Sequence, residues 1–321
     1  MLKAIEKIPA GTFLVPMLVS AMFFTVSPNL FKIGGVTEAL FSGSGLNFIV
    51  GALTFVSGIG LDIRKIGGIL KRHGIILLIK AIFCIVLGLV AISFLGETGF
   101  WGISTAALIV AMCSINPAIY LSIVNQYGAE DDKGAFSLSG LFSIPLLPLI
   151  IYGLAGAGSF DFMPVFSLLL PLIIGIVIGS LDRDWVHIFS PGTSMLMPFL
   201  GWNIGQGLNL IEATQSGFTG ILLTALFYLV MIFLMVGTDK ALLRNDGIIG
   251  LSMVTIAGVS ASTPAILAQN NPAIAPYVES AVAQILTGVM ITSVVTPILT
   301  GYVYKRIHGH MPVANKYEKI N

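Results

Sequence analysis

A chain of 321 residues that is 56% hydrophobic and only 10% charged, with a mean hydropathy of +0.96, falls outside the soluble class, where about a quarter of residues are charged. Its net charge of +1 lacks the basic excess that nucleic-acid binding needs, so no nucleic-acid partner is expected. The two cysteines, Cys84 and Cys113, both lie in apolar stretches and offer neither a disulfide framework nor a metal cluster, so no metal or cofactor is expected.

The opening MLKAIEKIPAG leads directly into an apolar run without a small-residue cleavage site, so no cleaved signal peptide is expected. Runs of about 17–25 apolar residues can cross the hydrocarbon as helices. Ten follow one another: 11–27, 46–62, 75–95, 101–127 and 135–156, then 162–180, 193–210, 217–236, 247–270 and 277–303. The expected fold is therefore all-α, a polytopic membrane protein with the lipid bilayer as its main partner.

Spans four and nine are interrupted by matching clusters, Cys113-Ser114-Ile115-Asn116-Pro117-Ala118 and Ser260-Ala261-Ser262-Thr263-Pro264-Ala265. Proline has no amide hydrogen and disfavours helix in the residue before it, so Pro117 and Pro264 should break both helices. Unpaired backbone groups cost several kcal/mol in hydrocarbon, so such breaks persist only inside protein or beside a wet cavity.

Charge placement tests the span count, because cytoplasmic loops collect Lys and Arg. With both termini and the alternate loops on one side, that side holds 14 of the 16 Lys and Arg residues and the other side only Lys32. Ten spans with both ends in the cytoplasm satisfy this, and an odd number would split the clusters. The remaining cation, Lys80, lies inside the third span. It either snorkels to the cytoplasmic interface or serves as an ion-pair partner or substrate-facing charge.

The halves repeat. Gly58-Ile59-Gly60-Leu61-Asp62 recurs as Gly205-Gln206-Gly207-Leu208-Asn209, and Pro117-Ala118-Ile119 as Pro264-Ala265-Ile266, both displaced by 147 residues. Each half, 1–156 and 157–321, has five spans. The odd number inserts the second half the other way up, giving two five-helix inverted repeats with discontinuous helices four and nine. The basic stretch from Arg64 to His73 is expected as a short interfacial segment.

Several stretches carry a family signature: Ile5-Glu6-Lys7-Ile8-Pro9 with Leu14-Val15-Pro16, the run YLSIVNQYGAEDDKGAF from Tyr120 to Phe136, Thr263-Pro264, and Pro297-Ile298-Leu299-Thr300. Together they resemble the 2-keto-3-deoxygluconate permease family over almost the whole chain. The resemblance implies a proton-coupled importer of a sugar acid in the inner (plasma) membrane, akin to bile acid/sodium symporters and sodium/proton antiporters with crossed, unwound helices. It also implies an elevator-like core of spans three to five and eight to ten moving past a panel of spans one, two, six and seven. Two departures stand out: Pro117-Ala118 where the family tends to have two glycines, and Asn209 where an acid is expected.

A sugar acid brings one carboxylate and several hydroxyls. Half-helices beginning at Ala118 and Ala265 are expected to offer free amides and positive dipole ends. Ser114, Asn116, Tyr120, Ser260, Ser262 and Thr263 are candidates for the hydroxyls, the competing reading being that they only satisfy the backbone of kinked helices. Gln206 and Asn209 should face them from the Gly-rich end of span seven, unless those glycines serve tight helix packing alone.

For the coupling proton, Glu279 and its repeat mate Asp132 are candidates, with Lys80 as a third, against the alternative that both acids lie at the membrane surface. His73, His187, His308 and His310 fall in loops or the tail, which argues against a buried histidine carrier. Sodium is the alternative coupling ion, although the breaks contain no Asp or Glu. An intramembrane enzyme would need paired acids or a nucleophile with its base, and no such motif is present. The oligomeric state is left open, with a homodimer among the options.

Overall fold

The computed structural model describes residues 5, 11–27, 29–42, 45–61, 73–128, 132, 135–156, 163–189, 191–206 and 217–308. Their regular structure is helical, joined by turns and short non-helical stretches, with one isolated bridge between Phe100 and Ile103. The helices run α1 (Gly11–Val26), α2 (Gly35–Phe41), α3 (Leu46–Gly60), α4 (Ile75–Leu95), α5 (Thr105–Cys113), α6 (Pro117–Tyr127), α7 (Ala135–Ser139) and α8 (Leu146–Ala155). They continue as α9 (Met163–Leu181), α10 (Asp184–Phe189), α11 (Gly192–Gly205), α12 (Gly217–Ala241), α13 (Ile248–Ser252), α14 (Thr263–Asn270) and α15 (Val278–His308).

Among the described residues, three helical stretches are long and apolar enough to cross a bilayer: α4, α12 and Pro272–His308, which contains α15. Their polarity is inside out. On α4, Lys80, Cys84, Gly88 and Ala91 face inward, while Leu78, Ile82, Val86, Val90 and Phe94 are exposed. A continuous exposed apolar stripe at helical spacing suits lipid rather than water, and the chain is an integral membrane protein.

One expectation changes. Span five is not one helix: α7 passes into a 3-10 turn at Gly140–Phe142, and α8 starts only after Pro145, whose missing amide cannot continue a helix. Spans four and nine are in pieces, as their interruptions predict, the fourth being nine residues of α5 and eleven of α6. Most of the basic stretch before His73, together with Asp62, lies outside the described residues.

α11 packs along α1 and α3, and α9 along α3. Separately, α12 packs on α15, α4 and α5, and α8 on α4 and α5. The two groups touch where α8 meets α9 and where α11 meets the 3-10 turn Gly258–Ser262.

Glycine permits the first group's closeness. A Cβ on Gly58 would stand 2.3 Å from the Leu172 carbonyl oxygen, on Gly175 2.2 Å from that of Phe55, and on Gly205 2.1 Å from that of Met17. Of the two readings for the repeated glycines, Gly58 and Gly205 take tight helix packing.

Candidate functional site

The two interruptions meet. α5 stops at Cys113 and residues 114–116 run non-helically, Ser114 being extended, before Pro117 opens α6. In an unbroken helix the Asn116 amide would donate to the Met112 carbonyl. Here it donates to Thr255 Oγ1 at 2.9 Å, and the Ile115 amide donates to the Phe142 carbonyl at 3.3 Å.

The second break runs from Met253 to Ala257, followed by the 3-10 turn Gly258–Ser262 and α14. Its backbone is held by side chains of α15: Ile256 N–H donates to Thr292 Oγ1 at 3.1 Å, and Thr296 Oγ1 donates to the Val254 carbonyl at 2.7 Å. Ser114 joins the breaks, its Oγ accepting from Ala257 N–H at 2.8 Å and lying 2.7 Å from Ser260 Oγ. Each of these groups would otherwise be an orphan in a dry interior.

The other candidates divide. Asn116 caps α6, its Oδ1 accepting from Ile119 N–H at 3.3 Å, so the first half-helix already has a cap for one of its first-turn amides. α14 grows out of the 3-10 turn instead of starting freely at Ala265, and Ser262 Oγ donates back to the Val259 carbonyl at 2.7 Å. Thr263 is buried as the first residue of α14.

Tyr120 is fully buried, and its hydroxyl donates to the Asp132 carbonyl at 2.7 Å. The structure does not turn Gln206 toward the breaks. Its amide donates to the Phe41 carbonyl, beside Trp202 Nε1 at 3.0 Å, so the tip of α11 clasps the end of α2. Asn209 lies outside the described residues.

The coupling candidates occupy unlike environments. Glu279 is half-buried in the first turn of α15. Asp132 is 2% exposed and faces His73 Nε2 at 3.3 Å, which corrects the reading of His73 as a loop residue: it is 1% exposed, just before α4. Lys80 is 0% exposed, so it does not snorkel. Its Nζ donates to the Met112 carbonyl at 2.8 Å, the acceptor that Asn116 left.

Sequence reasoning passed over Thr255, Thr292, Thr296 and the buried Asp239, whose carboxylate accepts from Gly250 N–H and Asn245 Nδ2, each at 2.9 Å. One signal was readable: Thr292, Thr296 and Thr300 recur every four residues and make a buried hydroxyl stripe on α15. A groove of about 520 Å³ between α4, α5 and α12, lined by residues such as Phe83, Leu87, Phe94, Leu108 and Leu226, is apolar and would seat an acyl chain, not a polyhydroxy acid.

A family model described as 2-keto-3-deoxygluconate permease matches residues 2–309. The 2-keto-3-deoxygluconate permease of Tolumonas auensis is 34% identical over 314 residues, covering 96% of this chain and 93% of the relative. 2-keto-3-deoxygluconate permease 1 of Salmonella typhimurium is 34% identical over 304 residues, 95% of each, and the Escherichia coli K12 permease is 33% identical over 304 residues, 93% of this chain and 92% of its own. With the match running end to end through both interruptions, the chain belongs to the 2-keto-3-deoxygluconate permease family, a family of transporters and not of enzymes.

Proposed function

We propose that the chain imports 2-keto-3-deoxygluconate or a similar sugar acid by proton symport, through alternating access to a site at the two helix breaks. The observation that carries the reading is the meeting of two interrupted helices at Ser114 and Ser260, 2.7 Å apart. Irregular backbone at membrane depth is costly, and paired breaks in related halves are where transporters place their substrates. Ser114, Asn116, Ser260, Ser262 and Thr263 serve the substrate hydroxyls, Gln206 and Asn209 approach from the opposing side in another conformation, and Asp132, Glu279 and Lys80 are the groups for coupling.

The full fold of the proposal is ten spans in two inverted repeats, 1–156 and 157–321, with both termini in the cytoplasm of the inner membrane. An elevator core built on α4–α8 and α12–α15 slides past a panel built on α1, α3, α9 and α11. Supporting this division, each group packs mainly within itself, and the panel's glycines close it tightly.

The test is uptake of labelled 2-keto-3-deoxygluconate into proteoliposomes under an inward proton gradient or an inward sodium gradient. Accumulation under the pH step is expected. Accumulation only with sodium would establish the alternative, a sodium-coupled organic-anion symporter. No accumulation under either gradient would sink coupled import.

A further inference from the structure

Lys80 sits within the 21-residue apolar helix α4, where an ammonium group is costly unless something answers its charge. What answers it is a carbonyl. Asn116 N–H has gone to Thr255, so the Met112 carbonyl takes Lys80 Nζ at 2.8 Å and Cys84 Sγ at 3.2 Å. That carbonyl belongs to the last turn of α5, the negative end of the helix dipole, where a cation is favoured.

Met231 Sδ at 3.4 Å, the Phe227 ring at 5.8 Å and the Cys113 thiol complete the surroundings. Among the described residues none of the groups facing Lys80 is an acid. The buried Lys80 amine thus ends, with no acidic neighbour among the described residues, on the carbonyl of Met112, two residues before Ser114 at the meeting point of the breaks.

We propose that Lys80 is a positioning and selectivity residue for an anionic substrate. Its ammonium holds the open end of α5, and its uncompensated charge makes the Ser114–Ser260 contact attractive to a carboxylate. This rests on the sugar-acid transport reading and adds to it the group that answers the acid. Met112 and Ser114 are at most about 7.6 Å apart along the chain, which puts the charge roughly 10 Å from the contact. Across roughly 10 Å at an effective dielectric near 20, losing that attraction lowers affinity roughly ten- to twentyfold.

The experiment compares wild type, Lys80→Gln, which keeps a donor for Met112 without the charge, and Lys80→Arg, which keeps the charge. Each is reconstituted as the full chain. The readouts are KM and Vmax for labelled 2-keto-3-deoxygluconate, and the inhibition constants of the unlabelled acid and of its uncharged amide. The expected result is at least a tenfold rise in KM and in the acid's inhibition constant for Lys80→Gln. The amide's constant should stay within threefold of wild type, and Lys80→Arg should recover most of the loss.

An unchanged KM in Lys80→Gln overturns the proposal, as does a parallel rise for acid and amide, which marks a purely structural lysine. If Lys80→Gln cannot be recovered folded, Lys80→Met replaces it. A fall in the acid-to-amide preference supports a charge role, and an unchanged preference overturns it. Wild type that moves no acid at all overturns the transport reading, and the Lys80 assignment with it. Wild-type uptake with an indifferent Lys80→Gln overturns the Lys80 assignment alone.

Discussion

Ser114→Ala tests whether the two breaks hold each other. The hydroxyl accepts from Ala257 N–H at 2.8 Å and pairs with Ser260 Oγ at 2.7 Å, with both serines buried. Removing it leaves a buried amide with no acceptor, worth about 1–3 kcal/mol, and deletes a hydroxyl pair worth about 1 kcal/mol, for a total of about 2–4 kcal/mol.

Ser260→Ala deletes the pair and a long bond to the Ser143 carbonyl at 3.4 Å, while Ser114 still accepts from Ala257, so it should cost about 1 kcal/mol. At roughly 2 °C per kcal/mol for a chain of this size, Tm should fall by about 4–8 °C for Ser114→Ala and about 2 °C for Ser260→Ala. The protein supplies its own probe: Cys84 and Cys113 are both free and buried, so a thiol-reactive dye in detergent reports unfolding. Equal shifts for the two variants, or less than about 2 °C for Ser114→Ala, would refute the account of how the breaks are joined.

Thr292→Val should leave Ile256 N–H without its acceptor and cost about 1–3 kcal/mol, whereas Thr292→Ser keeps the hydroxyl and should restore most of the Tm. Gly175→Ala drives a Cβ onto the Phe55 carbonyl and should yield little monodisperse protein; Gly51→Ala, with open space around it on α3, should gain up to about 1 kcal/mol. With Cys84 and Cys113 replaced by alanine, cross-linking Asn116→Cys to Gln206→Cys should abolish uptake while one-sided substrate binding survives. Uptake through a verified cross-link would exclude a moving core.

Much of this was legible in the residues themselves. Proline chemistry announced the first interruption, where α6 begins at Pro117; the second falls at Met253–Ala257, upstream of the expected cluster, and Pro264 sits in the first turn of α14, where its missing amide costs nothing. Pro145 carried the same signal and was passed over, because the run 135–156 is apolar enough to read as one span. Hydropathy likewise cannot tell a loop histidine from one folded back onto Asp132, so His73 was misplaced. For Gln206, the nearness of Phe41, 165 residues earlier in the chain, decided where the amide points.

The sequence by itself determined the membrane class, the family and the stop before Pro117, since these depend on local composition and on proline's missing amide. Only the tertiary structure decided what each interrupted group then bonds to: Asn116 with Thr255, Ser114 with Ala257 and Ser260, and Lys80 with the carbonyl at Met112. The reason is that a broken helix frees backbone donors and acceptors without specifying their new partners. In a dry interior those partners come from whichever segment is packed alongside.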